Sequence, residues 1–521
     1  MKAYRSFSTR QTPQSEPIPG KQMAQNNAGG FSFVVDNWKR LERFLVLGSE
    51  GGTYYVNEVS LTRDNATAAM ACLNEDGRRV VDLVVAVSTA GRAPKNDPAL
   101  FVLAMAASLG DVDTRRAALQ ALPQVARTGT HLFHFVAFAE QFRGWGRGLK
   151  RAVAEWYRRP IEQLAYQLVK YRQRDGWSHR DLLRLSHPTP PTPAHQAAYR
   201  WVTQGELQEP VPRLVEGFER AKVATRPDPR LIMEYGLTWE MVPPDWLNFP
   251  AVWEALLERM SLTAMLRNLG KMGAVGLLAP FSAAAGKVAA TLRNGEALRQ
   301  ARVHPLAVLM ALKVYAAGHG MRGKLAWEPV PQVTDALNEA FYLSFGAVEP
   351  TGKRLLLAVD VSGSMGMGYV AGTFLTAREA AAVMALVTAN VESGYHIMGF
   401  DHEFSPLGIT PRQRLDDVVA RMSNLDFGAT DCALPMLWAL QRRVPVDAFV
   451  VYTDSETWYG QMHPVQALRE YREKTGVAAK LVVVGMTATE FTIADPDDGG
   501  MLDVVGFDTA VPQVMSDFIK N

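Results

Sequence analysis

From about residue 31 to residue 346 the large apolar side chains recur every three to four positions, the interval that lines one face of an α-helix. This spacing predicts helices near 36–47, 78–89, 112–122, 130–142, 148–173, 195–205, 212–223, 249–259, 261–270, 282–293, 305–318 and 332–345. Local signals sharpen some ends. "DPALFVLAMAASLG" offers Asp97 as N-cap, Pro98 in the first turn and Gly110 as a stop, and "SHRDLLRL" places Ser178 and Asp181 at capping-box spacing. Strand alternation is scarce, so the pattern predicts paired helices stacked as an α-solenoid. No clean repeat period is present.

The pattern changes after the turn-rich link "VEPTGKR". Short apolar runs, "LLLAVD" (355–360), "YHIMGFD" (395–401), "DAFVVYTD" (447–454), "KLVVVGM" (480–486) and "MLDVVGF" (501–507), alternate with helical stretches near 376–390, 412–422, 434–442 and 463–474, and a last helix follows. That alternation is the signature of a doubly wound parallel sheet, whose sites lie at the carboxyl ends of its strands. The fold class is therefore mixed and multidomain, all-α helical repeats followed by an α/β unit. The expected boundaries are a mobile tail at 1–30, a helical domain at 31–350 and the α/β domain at 351–521. The tail is rich in Gln, Asn, Ser, Pro and Gly and poor in large apolar groups, too few to offset its ordering entropy.

Charge adds a division of labour. Residues 1–350 carry 42 Lys and Arg against 32 Asp and Glu, whereas residues 351–521 carry 13 against 21. Arginine outnumbers lysine 40 to 15, and its planar fork suits phosphate. Cys72 and Cys432 lack metal-ligand spacing and cannot build a disulfide framework, which fits a reducing compartment. No apolar run reaches the ~20 residues of a membrane span and no signal core opens the chain, so a cytoplasmic protein without membrane contact is expected.

Two constellations carry chemistry. In "AVDVSGSMGMG" the oxygens of Asp360, Ser362 and Ser364 follow the first strand of the α/β region at i, i+2 and i+4 in a glycine-rich turn. "VVYTDSE" brings Asp454 to the same sheet edge, and "DFGATDCALP" supplies Thr430 ahead of a helix. Such hard oxygen donors suit a divalent ion, Mg²⁺ above all. Simple helix capping is the bland alternative. A hydrolase is the other, but "SGSMG" lacks the nucleophile-elbow pattern and His402 is the sole nearby histidine, expected in a surface loop.

The second constellation is 143–200, with twelve Lys and Arg against four acids and with Trp145, Trp156, Tyr157, Tyr171 and Trp177 interleaved. Clustered cations neutralise phosphates, and aromatic planes stack on bases. A solvated helix face over core aromatics would read the same way.

The acidic-serine set resembles the metal-ion-dependent adhesion site of von Willebrand factor A domains. That resemblance implies direct ligation by Ser362, Ser364 and Thr430, with Asp360 and Asp454 acting through water. The strings "GWGRGLKRAVAEWY", "YRQRDGWSHRDLLRLSHP", "LTAMLRNLGKM", "HPLAVLMALKVYAAGHG" and "VTDALNEAFYLSF" resemble the Ro autoantigen family, defined by the TROVE domain, over about 31–521. The resemblance implies a ring of HEAT-like repeats with a von Willebrand A domain, a non-enzymatic ribonucleoprotein component. It further implies Y RNA on the outer basic surface and single-stranded ends of misfolded RNAs in a central hole. RNA quality control and maturation of precursors such as ribosomal RNA would follow, with 3′-to-5′ exoribonucleases as partners and a bacterial source. Carried over by residue, RNA contacts fall on Lys170, Arg174 and His187, with Arg172, Arg180 and Arg184 as phosphate neighbours. One departure stands out. The family's Gly-Gly-Thr-Asp-Cys is here Gly428, Ala429, Thr430, Asp431, Cys432, which predicts strain if the second position needs positive φ. The rival functions are a metal-dependent adhesion scaffold that takes an acidic side chain from a protein partner, and a Mg²⁺-dependent nuclease built on Asp360 and Asp454.

Overall fold

The computed structural model describes residues 11–321, 324–346, 348–367, 369–370, 373–425 and 428–521. In chain order it begins with β1 (Ala24–Gln25), β2 (Phe31–Val34), α1 (Asn37–Leu47) and α2 (Glu58–Ala90). There follow α3 (Asp97–Leu109), α4 (Val112–Val125), α5 (Gly129–Phe142), α6 (Arg147–Trp156) and α7 (Ile161–Lys170). A hairpin, β3 (Gln173–Arg174) and β4 (Trp177–Ser178), leads into α8 (His179–Ser186), α9 (Pro193–Gln204), α10 (Arg213–Val223), α11 (Pro229–Tyr235) and α12 (Pro250–Leu257). The helical run closes with α13 (Leu262–Ala274), α14 (Ala283–Leu292), α15 (Gly295–Gln300), α16 (Pro305–Ala317) and α17 (Pro331–Leu343).

Helices near in sequence pack on one another. Thus α3 meets α4 and α5, α4 meets α6, α6 meets α8, α10 meets α11, and α16 meets α17. This chain of neighbours is the helical-repeat architecture that the apolar spacing predicts. Its core holds large, fully buried side chains, among them Trp156, Trp253, Phe133, Phe135 and Phe341. Two predicted helices differ in detail. The stretch 148–173 is two helices because Pro160 lacks an amide hydrogen and disfavours helical geometry at the residue before it. The helix near 78–89 is the second half of α2, which breaks at Asp76 (φ −153°, ψ 87°), where the carboxylate accepts the Arg79 amide at 2.9 Å. At α3 the N-cap is Asn96, and Asp97 is the first helical residue.

The α/β region contains β5 (Leu355–Asp360), α18 (Gly363–Met367), α19 (Ala377–Val391), β6 (Tyr395–Phe400), β7 (Phe404–Pro406), α20 (Leu415–Ser423) and α21 (Leu434–Gln441). It ends with β8 (Ala448–Thr453), α22 (Pro464–Thr475), β9 (Lys480–Gly485), β10 (Phe491–Thr492), β11 (Met501–Val505) and α23 (Val511–Lys520). The six-stranded sheet runs β11-β9-β8-β5-β6-β7, all parallel except β7. Strands buried on both faces read as continuous apolar runs, as "LLLAVD" does.

The chain divides into two compact units, residues 69–346 and residues 1–68 with 347–521. Residues 11–68 thus group with the sheet unit, whereas the boundaries read from the sequence are 31–350 and 351–521. Strand β2 pairs with β10, and the buried Arg43 of α1 binds the Asp503 carboxylate at 2.6 Å.

The expectation of a mobile tail also fails over 11–30; residues 1–10 lie outside the described residues. Gln14 is fully buried and its amide donates to Asp431 and to the Met462 carbonyl, both at 2.7 Å. Asn26 donates to the Thr457 carbonyl at 2.8 Å, and Lys21 pairs with Asp495 at 2.8 Å. The polar side chains that suggested disorder are satisfied by the sheet unit's loops instead. Neither cysteine forms a disulfide and both are buried. Among the described residues no helix is long and apolar enough to cross a membrane.

Candidate functional site

The basic segment divides into an outward face and an inward one. Outward, β3 and β4 are joined by Asp175 (φ 51°) and Gly176 (φ 80°), a two-residue turn whose positive φ values match the twist of a hairpin. Arg172 and Arg174 are exposed on and beside β3. The hairpin packs against α5, where the His134 imidazole bonds Asp97 through Nδ1 and its Nε2 lies 3.3 Å from the Asp175 carboxylate without a hydrogen bond to it. The hydrogen bond from His134 holds the Asp97 carboxyl below its ordinary range.

Helix α8 begins with the expected capping box between Ser178 and Asp181. Arg180, Arg184 and His187 follow at i, i+4 and i+7, so they share one face, while Leu182 and Leu183 are buried. All three are exposed. His187 closes the helix in the left-handed region (φ 48°, ψ 57°), which costs a non-glycine residue about 1–2 kcal/mol.

Lys170 does not lie on that face. Its side chain is only 11% exposed, its ammonium donates to the Tyr166 hydroxyl at 2.9 Å, and it lies 3.4 Å from Glu240 and 5.2 Å from the centre of the Tyr171 ring. It lines a cavity of about 950 Å³ inside the helical unit. Lys95, Arg127, Arg267, Lys271 and Arg302 also line this cavity, and Glu240 is the one acid on its described wall. Tyr166, Tyr171, Trp239, Tyr315 and Trp327 add aromatic surface. Burial, with the nearby Arg302 charge, pulls the Arg127 guanidinium below its ordinary pKa.

The interleaved aromatics are mostly structural. Trp156 and Tyr157 are buried, with the Trp156 indole donating to the Ala126 carbonyl at 2.6 Å and Arg159 stacked 3.6 Å over its ring. Trp145 and Trp177 are half-buried, their ring centres 5.6 Å apart.

In the sheet unit the acidic-serine residues converge as their spacing predicts. After β5 the chain turns outward to β6, and β8 returns on the other side, so the switch in strand order falls between β5 and β8. Asp360 at the end of β5 accepts the Ser362 amide at 3.0 Å and the Thr453 hydroxyl at 2.6 Å. The Ser362 and Ser364 hydroxyls are 3.2 Å apart, and Ser364 is close enough to favour the charged form of the Asp454 carboxyl. Thr430 is buried, its carbonyl accepting the Trp458 and Tyr459 amides at 3.2 and 3.1 Å.

Glu456, at the end of "VVYTDSE", is a further acid here that no sequence pattern marks out. Its buried carboxylate takes the Asn27 amides, backbone at 2.7 Å and side chain at 2.6 Å. Burial, then the Asp454 charge, pushes Glu456 up to about 8, and the same two causes push Asp360 up to about 7. Burial alone raises Asp454. Among the described residues no group of three or more His, Cys, Asp or Glu is arranged to hold a metal. An ion here would depend on the serine and threonine hydroxyls. Asp360 and Asp454 are buried without an ion-paired Lys or Arg among the described residues and lie beside the adjacent Ser362 and Ser364 hydroxyls, hard oxygens of the type a divalent ion takes. The anticipated strain at Ala429 is absent, since its φ is not positive. His402 is exposed and 3.2 Å from the Asp401 carboxylate, in a surface loop as expected.

Comparison with known proteins places these features. The TROVE domain model matches residues 24–221 and 207–314, and the Ro60 vWA domain model matches residues 354–519. A Deinococcus radiodurans protein named RNA-binding protein RO60 is 46% identical over 99% of this chain and 98% of its own. A Caenorhabditis elegans protein of the same name is 35% identical over 97% of this chain and 91% of its own. The crystal structure of the Deinococcus radiodurans RO (RSR) protein aligns with a TM-score of 0.70 at 45% identity, covering 93% of this chain and 99% of that one. The chain therefore belongs to the Ro60 family, joining a TROVE domain of helical repeats to a von Willebrand factor A domain.

Proposed function

We propose that this protein is an RNA-binding ribonucleoprotein component, without catalytic activity of its own, that grips a small structured noncoding RNA of the Y RNA class. The observation that carries the reading is the set of five exposed side chains, Arg172, Arg174, Arg180, Arg184 and His187, presented by a pinned hairpin and one face of α8. Guanidinium forks match phosphate oxygens, and each phosphate they neutralise releases counterions. An A-form stem exposes phosphates and 2′-hydroxyls for this kind of contact. His187 adds a ring nitrogen able to donate to a base edge or a phosphate. Relatives named RNA-binding proteins, 46% and 35% identical, support the reading.

The inner cavity suits the single-stranded end of a misfolded or precursor RNA, such as ribosomal RNA. Its cations track a backbone and its aromatic rings stack on unpaired bases. Lys170 belongs to this inner role. The two surfaces together suit RNA quality control and maturation in the cytoplasm, with 3′-to-5′ exoribonucleases trimming RNA held in place. At the sheet edge Ser362, Ser364 and Thr430, with Asp360 and Asp454 behind them, would hold a divalent cation, Mg²⁺ by donor type. The bound ion would supply charge for an acidic side chain of a protein partner.

The test is RNA affinity measured as a function of salt. Replacing Arg174 and Arg184 with Gln and His187 with Ala should weaken binding of a Y-type stem-loop about a hundredfold, the scale of two or three lost charge-assisted hydrogen bonds. The log–log salt slope should fall by about 0.7–0.9 for each phosphate contact removed. Unchanged affinity and slope would discard the assignment.

A further inference from the structure

A second concavity in the helical unit, lined by no residue of the hairpin or α8, has a charge pattern that the reading above does not use. It encloses about 660 Å³ between α4, the end of α5 and α6, within the ~300–1,000 Å³ typical of small-ligand pockets. Five arginines line it: Arg115 and Arg116 from α4, Arg143 from the connecting loop, and Arg147 and Arg151 from α6. Its described wall carries one acid, Glu155, which is engaged by Arg158 at 3.2 Å. Arg116 pairs with Asp113 at 3.1 Å, and Arg143 reaches the Ser108 carbonyl at 3.4 Å. The guanidinium groups of Arg115, Arg147 and Arg151 make no hydrogen bond or ion pair among the described residues. Asp111, whose carboxylate feels the Arg115 charge, is the N-cap of α4 and accepts the Thr114 amide at 2.7 Å. Three uncommitted guanidiniums therefore face one hollow.

The rest of the lining is apolar and closely built. Leu119, Pro123, Leu149 and Ala152 form much of the surface, and Val112 stays 60% exposed beside them. Arg147 and Arg151 are one helical turn apart, so they project along the same side of α6. Gly148 permits the close approach of α6 to α4, since a Cβ there would meet the Leu119 side chain at 3.0 Å. The N-cap of α6 is Gly146, with no side-chain cap, so the first amides of this helix also open toward an anion.

We propose that this hollow binds a nucleoside phosphate, its phosphate held by Arg115, Arg147 and Arg151 and its base laid on the apolar floor. Guanidinium forks select phosphate by bidentate geometry, and the volume and apolar lining suit one base and sugar. Two sources share that chemistry: a free mononucleotide and the 5′-phosphorylated end of an RNA strand. The proposal does not depend on the hairpin face as the stem-binding surface.

The full-length protein is titrated calorimetrically with adenosine 5′-monophosphate, adenosine and inorganic phosphate. Fluorescence anisotropy then compares a ten-nucleotide oligouridylate carrying a 5′-phosphate with one carrying a 5′-hydroxyl. Either adenosine 5′-monophosphate binds at least about tenfold tighter than adenosine, or the 5′-phosphate raises oligonucleotide affinity by that factor, the scale of one charge-assisted contact. The first result assigns the pocket to free nucleotides and the second to RNA ends. In either case the R147Q/R151Q double variant removes the preference, while R230Q, at an exposed arginine of α11, leaves it intact. Photocrosslinking with 8-azidoadenosine 5′-monophosphate should label peptides within 107–155. The absence of any phosphate preference in both arms overturns the proposal, as does a preference that survives in R147Q/R151Q or a crosslink confined to other segments. Both arginines are exposed, and matching melting curves for variant and wild type establish that the variant is folded.

Discussion

Replacing Lys170 with Met separates the inner surface from the outer one. The ammonium is held by the Tyr166 hydroxyl at 2.9 Å and by Glu240 at 3.4 Å, and the Glu240 side chain is 24% exposed with one carboxylate oxygen buried and without a hydrogen-bond partner. Removing the cation leaves that carboxylate less compensated. A fully buried pair broken in this way costs about 3–5 kcal/mol, and partial exposure reduces it here to about 1–2 kcal/mol. The melting temperature should drop by about 2–4 °C on the scale of large domains. The K170M/E240Q double variant, which removes both charges, should recover most of the loss, giving a coupling of roughly 1 kcal/mol in a double-mutant cycle. Binding of a single-stranded oligonucleotide should weaken while stem-loop binding holds. The reasoning fails if K170M melts with the wild type, or if it loses stem-loop affinity as severely as the outer-face variant.

Three further outcomes follow from the geometry. His179 and His131 are kept neutral by burial, titrating at about 3 and about 4 against an ordinary 6.5, so below pH 6.5 the unfolded chain takes up protons that the folded chain refuses. Stability should fall as pH drops from 6.5 toward 4, by up to ~1.4 kcal/mol per pH unit for each histidine; H179Q should flatten the profile in thermal melts, and a flat wild-type profile would contradict it. Adding Mg²⁺ to chelator-treated protein should raise the melting temperature, by the equivalent of about 2.7 kcal/mol at a hundred times the dissociation constant, and no shift with Mg²⁺, Mn²⁺ or Ca²⁺ would remove the metal from the account. Q14A should destabilise the sheet unit by about 1–3 kcal/mol, because the Asp431 carboxylate and Met462 carbonyl each lose a buried donor; a neutral result in urea denaturation would return 11–30 to the status of a tail.

Strands β5, β8 and β9 were legible because they are buried on both faces and read as unbroken apolar runs, and "LLLAVD" and β5 coincide residue for residue; the short, mostly exposed β7 carried no such signal. The capping box at Ser178 was legible because its chemistry is local. The hairpin ahead of it was overlooked, although Asp175-Gly176 is the turn pair that signals one. Lys170 illustrates a different limit. It sits four residues before Arg174 in sequence, yet α7 ends between them, and periodicity cannot report which side of a wall a residue at a helix end will face. The N-terminal segment was misread for a similar reason. Gln14, Asn26 and Asn27 resemble disorder-promoting residues until loops more than 400 positions away supply their partners.

The central claim is that the pinned hairpin and α8 form the RNA-gripping surface. Ultraviolet crosslinking in cells, with mass spectrometry of the peptides and sequencing of the attached RNA, tests it most directly. The account predicts adducts on residues 172–187 joined to a small, stem-closed noncoding RNA. Adducts confined to the sheet unit, or a hairpin attached to nothing but random ribosomal fragments, would contradict it.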